Sequence, residues 1–235
     1  MTRSERRLER HAGAQSSIVN LLEVLQMPRY GFVIDLKRCY GCYTCQVACK
    51  AANHTPHGID WARCVPAETG SFPAALRQMV PLICQQCAEP ECLKVCPTGA
   101  TTQDENGIVR VDKDLCMGCK YCIQACPYGA RQTVDEWQTY FPDAEGDLDP
   151  YEAYAKAQWE EKNGYGIATK CDYCADRVKE GREPACVEAC PAKARFFGDL
   201  EDPESEVSIL IRRERGFQLN PEFGTDPSCY YLPPR

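Results

Sequence analysis

Sixteen of the eighteen cysteines in this 235-residue chain fall into four groups with short, regular spacings. In groups 1 and 3, three cysteines are separated by two residues each, and a fourth follows three residues later. The members are Cys39, Cys42, Cys45 and Cys49 in group 1; Cys84, Cys87, Cys92 and Cys96 in group 2; Cys116, Cys119, Cys122 and Cys126 in group 3; and Cys171, Cys174, Cys186 and Cys190 in group 4. A loop with this spacing can curl around one metal centre, so the groups constrain the fold more than any other feature.

Such a high cysteine content is typical of disulfide scaffolds, zinc proteins or iron–sulfur proteins. Disulfide scaffolds are usually short secreted chains, whereas this chain is long and its basic residues 1–13 are followed by no uninterrupted apolar run. We therefore expect no secretory signal there. Group 4 alone also fits a zinc ribbon, because its first cysteine pair is followed later by a second pair. Groups 1 and 3 match cubane ligation, and we predict four [4Fe–4S] clusters.

The spacing also predicts which cysteines share a cluster. In two-cluster ferredoxins, the fourth cysteine of a group ligates the neighbouring cluster, so the groups must work in pairs. Groups 2 and 3 are compact neighbours in the sequence, which leaves group 1 to pair with group 4. The predicted ligand sets are Cys39, Cys42, Cys45 and Cys190 for cluster 1; Cys84, Cys87, Cys92 and Cys126 for cluster 2; Cys116, Cys119, Cys122 and Cys96 for cluster 3; and Cys171, Cys174, Cys186 and Cys49 for cluster 4.

Two further features lie beside these ligands. Cys64 and Cys229 are left over, and we expect them to be free buried thiols. Four lysines are close to ligand cysteines in the sequence, and a cation near a cluster stabilises its reduced form and raises its potential. Ordinary surface lysines would show the same pattern, so both interpretations stay open for Lys50, Lys94, Lys120 and Lys170.

Short runs rich in aromatic and β-branched residues lead into two of the groups, at residues 30–36 and 108–112. A unit of short strand, cysteine loop and short helix is therefore repeated along the chain. We predict an α+β fold with two bacterial-ferredoxin-like modules in the region 30–134 and 163–200. The inner module covers about 76–134, and the outer module is built from groups 1 and 4.

Three segments lie outside this region. Residues 1–29 are predicted as a helical extension that packs on the chain itself or docks on a partner. Residues 135–162 are acidic and are predicted as a partly helical surface insertion, with Pro150 in the first turn of its helix. Its charge indicates a solvated face or, alternatively, a docking site. Residues 201–235 are rich in proline and are predicted as an extended C-terminal tail that wraps a neighbour.

Charge and motifs exclude several functions. The formal net charge is −7, which argues against nucleic acid as a main partner because phosphate binding needs a clustered basic surface. The sequence has no phosphate-binding loop, no dinucleotide fingerprint and no Ser/His/Asp pattern of nucleophilic catalysis. No apolar run is long enough to cross a membrane. We therefore expect a non-catalytic electron-transfer subunit with no substrate turnover of its own.

The four groups, in this order, resemble the iron–sulfur subunit of molybdopterin oxidoreductases of the dimethyl-sulfoxide-reductase superfamily. The resemblance covers about residues 30–199, and two stretches typical of it are Cys92-Leu-Lys-Val-Cys-Pro-Thr-Gly-Ala100 and Cys122-Ile-Gln-Ala-Cys-Pro-Tyr-Gly-Ala130. In group 1, Lys50 replaces the proline that follows the other groups. The resemblance implies an electron relay between a large subunit with a molybdenum or tungsten pterin and a membrane anchor or other carrier. It further implies that cluster 1 lies nearest the pterin, and that the complex works in the periplasm or on the outer face of the membrane, with the cytoplasm as an alternative.

Two other functions fit the cysteines. One is a soluble polyferredoxin that serves several partners, such as hydrogenase or formate dehydrogenase systems. The other is a structural subunit whose clusters mainly stabilise the fold, since metal sites can contribute folding free energy directly. The terminal segments favour an obligate partner over a free carrier.

Overall fold

A computed structural model describes residues 27–142 and 146–234, so the predicted N-terminal helix lies outside the described residues. The strands are β1 (Tyr30–Asp35), β2 (Arg63–Thr69), β3 (Leu76–Leu82), β4 (Thr101–Gln103), β5 (Val109–Val111), β6 (Gln132–Thr133), β7 (Ala168–Thr169), β8 (Arg195–Asp199) and β9 (Cys229–Leu232). The α-helices are α1 (Thr44–Asn53), α2 (Glu91–Lys94), α3 (Tyr121–Gln124), α4 (Pro150–Lys162), α5 (Ala175–Lys179), α6 (Ala185–Glu188) and α7 (Glu206–Glu214), and a 3-10 turn covers Pro221–Phe223.

Each cysteine group follows a strand and continues into a helix, which confirms the repeated unit. The predicted strands at 30–36 and 108–112 are β1 and β5. The third cysteine of every group occupies the second position of a helix: Cys45 in α1, Cys92 in α2, Cys122 in α3 and Cys186 in α6. Three of these helices have only four residues and end just before a Cys-Pro pair, because the proline nitrogen has no hydrogen to donate to a helical carbonyl.

Contacts between these elements bring together the same pairs of groups that the spacing predicts. Helix α1 of group 1 packs against α6 of group 4, and α2 of group 2 packs against α3 of group 3. The strand that enters group 1, β1, pairs antiparallel with β8, which follows group 4. Between groups 2 and 3, β4 and β5 form an antiparallel pair. The chain is therefore ferredoxin-like, with the segment of groups 2 and 3 inserted between the two segments that carry groups 1 and 4.

Two further strand pairs join the inserted segment to the flanking ones. β2, which follows group 1, pairs with β3, which precedes group 2. In the same way, β6 follows group 3 and pairs with β7, which precedes group 4. The largest hydrophobic core cluster contains cysteines from groups 1, 2 and 4, so the sulfur atoms are part of the packed interior.

The segment 201–235 is not an extended tail, so that prediction is wrong for the described residues up to 234. Helix α7 begins after its capping residue Ser205 and buries Val207 and Leu210 against the sheet. Strand β9 then runs parallel to β1 and lies on the opposite side of it from β8. The segment packs on its own chain because its apolar side chains find a face of the sheet to cover.

The acidic segment 135–162 contains the helix that its sequence predicts, α4, with Pro150 as its first residue. The Asp149 side chain caps the helix by accepting two backbone N–H groups. One face of α4 enters the core through Ala155 and Trp159, and the Trp159 side chain is fully buried. The prediction of a surface insertion is therefore wrong for this face, whereas the acidic residues of the other face are exposed.

One carboxylate of this segment, Glu152, is buried and holds the preceding loop by hydrogen bonds. Glu152 accepts hydrogen bonds from Trp137 Nε1 at 3.1 Å, from Thr139 Oγ1 at 2.9 Å and from the Tyr140 amide at 2.9 Å. The Tyr140 hydroxyl in turn donates to the Thr55 carbonyl at 2.6 Å, just after group 1. These bonds fix the acidic segment to the loop of group 1 rather than leaving it in solvent.

Candidate iron–sulfur cluster sites

The four cysteine loops share one backbone feature. The residue before the second cysteine has a left-handed conformation in every group, with φ of 76° at Gly41, 44° at Gln86, 72° at Gly118 and 60° at Tyr173. Glycine adopts this conformation without steric cost, whereas glutamine and tyrosine do so only where their surroundings hold them. Groups 2 and 4 therefore carry a large side chain where groups 1 and 3 have none.

A cavity lies at the first cysteine loop. Four of its lining residues are Cys39, Cys42, Cys45 and Cys190, which are the four predicted ligands of cluster 1. The leftover thiol Cys64 lines the same cavity and is buried as predicted. The structure thus brings the last cysteine of group 4 to the loop of group 1, across more than a hundred residues of sequence.

A second cavity of the same kind lies at group 2. Its lining includes Cys84, Cys87, Cys92 and Cys126, which are the four predicted ligands of cluster 2. Burial raises the pKa of Cys87 to about 12, and the neighbouring sulfurs of the other three cysteines contribute. Iron binds thiolates, so loading this cavity releases protons and is favoured by a higher pH.

The predicted ligands of cluster 4 also lie together. Burial raises the pKa of Cys171, and the sulfurs of Cys49, Cys174 and Cys186 raise it further. Cys49 is on the inner face of α1, which packs against the helix that carries Cys186. The fourth cysteine of group 1 is therefore beside group 4, as the crossing pattern predicts.

For cluster 3, the structure brings three of the four predicted ligands together. Burial raises the pKa of Cys122, and the sulfurs of Cys116 and Cys119 act in the same direction. Cys96 is held by the turn that follows it, where the Thr101 amide donates to its Sγ at 3.4 Å. Burial opposes ionisation of Cys96, but hydrogen bonds from Thr101 and Thr98 lower its pKa to about 7.

Groups 2 and 4 meet through the side chain at the left-handed position of group 2. Gln86 of group 2 donates to the Cys171 carbonyl of group 4 at 2.8 Å and accepts from the Val109 amide at 2.8 Å. The ring of Tyr173 is fully buried and packs against Phe32, with centroids 4.7 Å apart. Gln86 is thus held at the junction between the inserted and flanking segments, and Tyr173 is held by packing within the flanking segments.

The four lysines next to ligand cysteines differ in their surroundings. Lys94 and Lys120 are exposed and pair with Glu91 at 2.8 Å and Asp135 at 3.3 Å. Lys50 forms an ion pair with Asp60 at 3.1 Å. Lys170 is buried, and its ammonium donates to the carbonyl of Val109 in β5 and to that of Cys171 in its own loop. The surface interpretation therefore fits two of these lysines, and a site near the clusters fits Lys170.

Sequence reasoning missed two buried arginines. Arg131 lines the cavity of group 2 and Arg195 lines the cavity of group 1. Each stands five residues after a Cys-Pro cysteine, Cys126 or Cys190. That shared offset is the signal that could have found them.

These cavities fit iron–sulfur clusters. Each is lined by its four predicted ligand cysteines and by a buried arginine, and the cavity at group 1 is lined by Cys64 as well. Three Arg195 nitrogens have no hydrogen-bond partner among the described residues. A buried cation of this kind needs an anion, and a thiolate-ligated cubane supplies one. Within 27–142 and 146–234, no group of three or more His, Cys, Asp or Glu side chains is arranged to hold a single metal ion.

Fold and cysteine loops together define a ferredoxin-type iron–sulfur protein. The sequence model of the 4Fe–4S dicluster domain family matches residues 76–141 and 148–200, which contain groups 2, 3 and 4. With sixteen cysteines in four groups, the cofactors of this chain are four [4Fe–4S] clusters.

Known relatives specify the family. The selenate reductase subunit from Mesobacillus selenatarsenatis is 43% identical over 207 residues, which are 85% of this chain and 70% of the relative. The iron–sulfur subunit of arsenate respiratory reductase from Shewanella sp. is 38% identical, covering 87% of this chain and 96% of the relative. The sulfite dehydrogenase subunit from Allochromatium vinosum is 40% identical, covering 89% and 85%. The chain belongs to the 4Fe–4S dicluster family of iron–sulfur subunits of molybdopterin oxidoreductases, and it is an electron-transfer subunit.

Proposed function

We propose that this subunit relays electrons through clusters 1, 4, 2 and 3, in that order, on the ligand sets that the spacing predicts. The clusters supply one-electron carriers when bound, and the chain fixes their sequence. The proposal rests chiefly on Cys190, which lines a cavity with three cysteines of group 1. That single juxtaposition supports ligand sharing between groups 1 and 4.

The order follows from which groups are in contact. Groups 1 and 4 meet through α1 and α6, and groups 2 and 3 meet through α2 and α3. Between the two pairs, Gln86 of group 2 is hydrogen-bonded to Cys171 of group 4. The sulfur of Cys84 also acts, after burial, to raise the pKa of Cys171, which supports a short separation between clusters 4 and 2.

Both ends of this order reach the surface. In group 1, Cys42 is exposed and stands between the exposed rings of Tyr40 and Tyr43. In group 3, the exposed apolar residues are Leu115, Met117 and Tyr121. Apolar side chains around a cluster loop suit a docking surface, so these two ends are the candidates for electron uptake and release.

The partner on one side is proposed to be a large subunit with a molybdenum or tungsten pterin. The names of the relatives support this proposal, since they are subunits of reductases and a dehydrogenase. The second partner is proposed to be a membrane anchor subunit or another carrier. No described helix is long and apolar enough to cross a membrane. We place the complex in the periplasm or on the outer face of the membrane, which fractionation of cells would test.

The ligand sets can be tested by substituting cysteines that are predicted to ligate the cluster of the neighbouring group. Cys190→Ser is expected to damage cluster 1 and to spare cluster 4, although Cys190 belongs to group 4. Cys126→Ser is the matched variant and is expected to damage cluster 2 while sparing cluster 3. Iron analysis and electron paramagnetic resonance of the purified variants measure both. Loss of cluster 4 in the Cys190 variant would overturn the pairing.

Purification of the native complex tests the partner. A tagged chain expressed in its own host is expected to co-purify with a pterin-containing subunit after gentle lysis. Mass spectrometry identifies that subunit, and a metal assay detects its molybdenum or tungsten. A fully loaded chain that runs alone would instead support a soluble polyferredoxin.

A further inference from the structure

Three cations are buried among the described residues: Arg131, Lys170 and Arg195, with 3%, 4% and 3% of their surface exposed. None of them forms an ion pair with a carboxylate in the part of the chain that the structure describes. A buried cation without a partner is strongly destabilising. Their counter-charges must therefore come from another source.

Arg195 lies between groups 1 and 4. It lines the cavity of group 1, and its guanidinium stands over the Phe32 ring, with 5.8 Å from Cζ to the centroid. Burial opposes its charge, but the sulfurs of Cys186 and Cys45 outweigh burial and raise the pKa of Arg195. One of these sulfurs belongs to the ligand set of cluster 4 and the other to that of cluster 1.

Lys170 lies between groups 4 and 2. Its ammonium donates to the carbonyl of Cys171, a ligand of cluster 4, at 2.9 Å. It also donates to the carbonyl of Val109, a residue that lines the cavity of group 2. Both acceptors are neutral, so these bonds orient the ammonium without neutralising it.

Arg131 lies between groups 2 and 3. Its guanidinium donates to Cys92 Sγ, in the cavity of group 2, at 3.1 Å and to Thr101 Oγ1 at 3.1 Å. Burial opposes its charge, and the sulfurs of Cys92 and Cys122 outweigh burial and raise the pKa of Arg131. Cys122 is a predicted ligand of cluster 3, so this cation also faces both clusters of its pair.

We propose that Arg195, Lys170 and Arg131 are positioning cations, one at each of the three junctions between successive clusters in the relay. This inference rests on the proposed ligand sets and order. Each cation stabilises the reduced, more negative form of the cluster on either side of it. It also offsets the repulsion that an electron on one cluster exerts on an electron on the next, which is strong in a medium of low dielectric constant.

Removing one cation should therefore shift two clusters and leave two unchanged. Arg195→Gln is expected to lower the potentials of clusters 1 and 4, Lys170→Gln those of 4 and 2, and Arg131→Gln those of 2 and 3. The expected shift is at least a tenfold drop in the equilibrium constant for reduction, equal to about 59 mV for a one-electron couple. Potentiometric titration of the full, anaerobically purified chain by electron paramagnetic resonance resolves the four potentials.

Charge-retaining and surface variants serve as controls. The charge-retaining variants are expected to change the equilibrium constant for reduction of each cluster by less than tenfold. They are Arg195→Lys, Arg131→Lys and Lys170→Arg. Arg213→Gln, at a side chain that is 63% exposed on α7, is expected to shift none. Fully loaded Gln variants with unchanged potentials, or with all four shifted alike, would overturn the proposal. A shift of equal size in the charge-retaining variants would do the same.

A measurement on the native chain tests the proposal even if the Gln variants lose iron. Protein labelled with ¹⁵N-arginine is expected to show nitrogen coupling to the reduced clusters in electron–nuclear double resonance. Arg195→Lys should remove the coupling to clusters 1 and 4, and Arg131→Lys the coupling to clusters 2 and 3. Absence of coupling in the native chain would contradict the proposal. An error in the proposed ligand sets can be distinguished from an error in this inference, because it would appear as loss of cluster 4 rather than cluster 1 in Cys190→Ser.

Discussion

The inner region, residues 76–134 with groups 2 and 3, and the outer region, residues 30–75 and 163–200 with groups 1 and 4, contain the same cysteine loops in different settings. Five of the eight ligand cysteines in the outer region are buried, compared with two of eight in the inner region. The inner region is one continuous stretch of chain. The outer region closes only when two distant stretches meet, and three additional elements, α4, α7 and β9, cover it.

The same ligand pattern is therefore stabilised in two different ways. Local chain connections hold the inner loops, with a strand pair between them that spans few residues. Long-range packing holds the outer loops, because β1 must find β8 and β9 far along the chain. Damage to the covering elements should therefore affect the outer clusters first.

Deleting β9 is expected to have the largest effect. Removal of residues 229–235 takes away the parallel partner of β1 and the buried side chains of Cys229 and Tyr231. Clusters 1 and 4 should be lost, leaving about half of the iron. Iron analysis and paramagnetic resonance measure this, with a deletion of 233–235 as the control that retains β9. Equal loss from all four clusters would show that the two regions are not independent.

Trp159→Ala should have the next largest effect. The side chain is fully buried in α4, with its ring centroid 6.0 Å from that of Trp61. Trp61 donates to Thr169 Oγ1 at 3.2 Å, just before group 4. The cavity is expected to lower the free energy of unfolding by about 3–5 kcal/mol, measured by denaturant titration of the cluster absorbance. Tyr151→Ala, on the exposed face of the same helix, should change the free energy of unfolding little. A comparable loss in that variant would contradict a stabilising role specific to the buried face of α4.

Glu152→Gln should have a smaller effect. The amide keeps the size of the side chain but removes the charge that accepts three hydrogen bonds. We expect a loss of about 1–3 kcal/mol, seen as faster loss of the outer clusters in denaturant. Glu161→Gln, an exposed carboxylate on the same helix, is the matched control. An unchanged rate in the Glu152 variant would mean that the acidic segment does not hold the loop of group 1.

Tyr231→Phe is expected to have the smallest effect. The hydroxyl donates to the Pro81 carbonyl at 2.9 Å and so links β9 of the outer region to β3, next to group 2. Its loss should lower the free energy of unfolding by about 1 kcal/mol. Because this bond joins the two regions, inner and outer clusters should be affected equally. Denaturant titration of the cluster absorbance measures this. Selective loss of either the inner or the outer pair of clusters would show that the bond stabilises only one region.

The cysteine spacing predicts the site better than it predicts the fold around it. The spacing within a group is local, so the offsets of Cys190 and Cys126 predict that they ligate the neighbouring cluster. Arg131 and Arg195 escape such reasoning because a single charged residue after a motif is ordinary at the surface. Their shared offset from Cys126 and Cys190 marks them in the sequence, but their burial depends on the folded chain.

The C-terminal segment shows a different limit. Helix α7 has a readable signal, since Ser205 is followed by apolar residues at helical spacing, but the surrounding prolines outweighed it. Strand β9 has only four residues and no clear alternation between the two faces. Its pairing with β1 depends on a partner almost two hundred residues away, which no local pattern contains.

The position of β1 between β8 and β9 has a consequence for the timing of biosynthesis. A ribosome makes β1 early and both of its neighbours late, whereas the inner loops are complete by residue 134. At roughly 5–20 residues per second, the nascent chain waits several seconds between these events. During that interval, the inner loops are ready for maturation machinery and the group 1 cysteines still lack Cys190. The predicted ligands of the two inner clusters are therefore complete in the nascent chain before those of the two outer clusters.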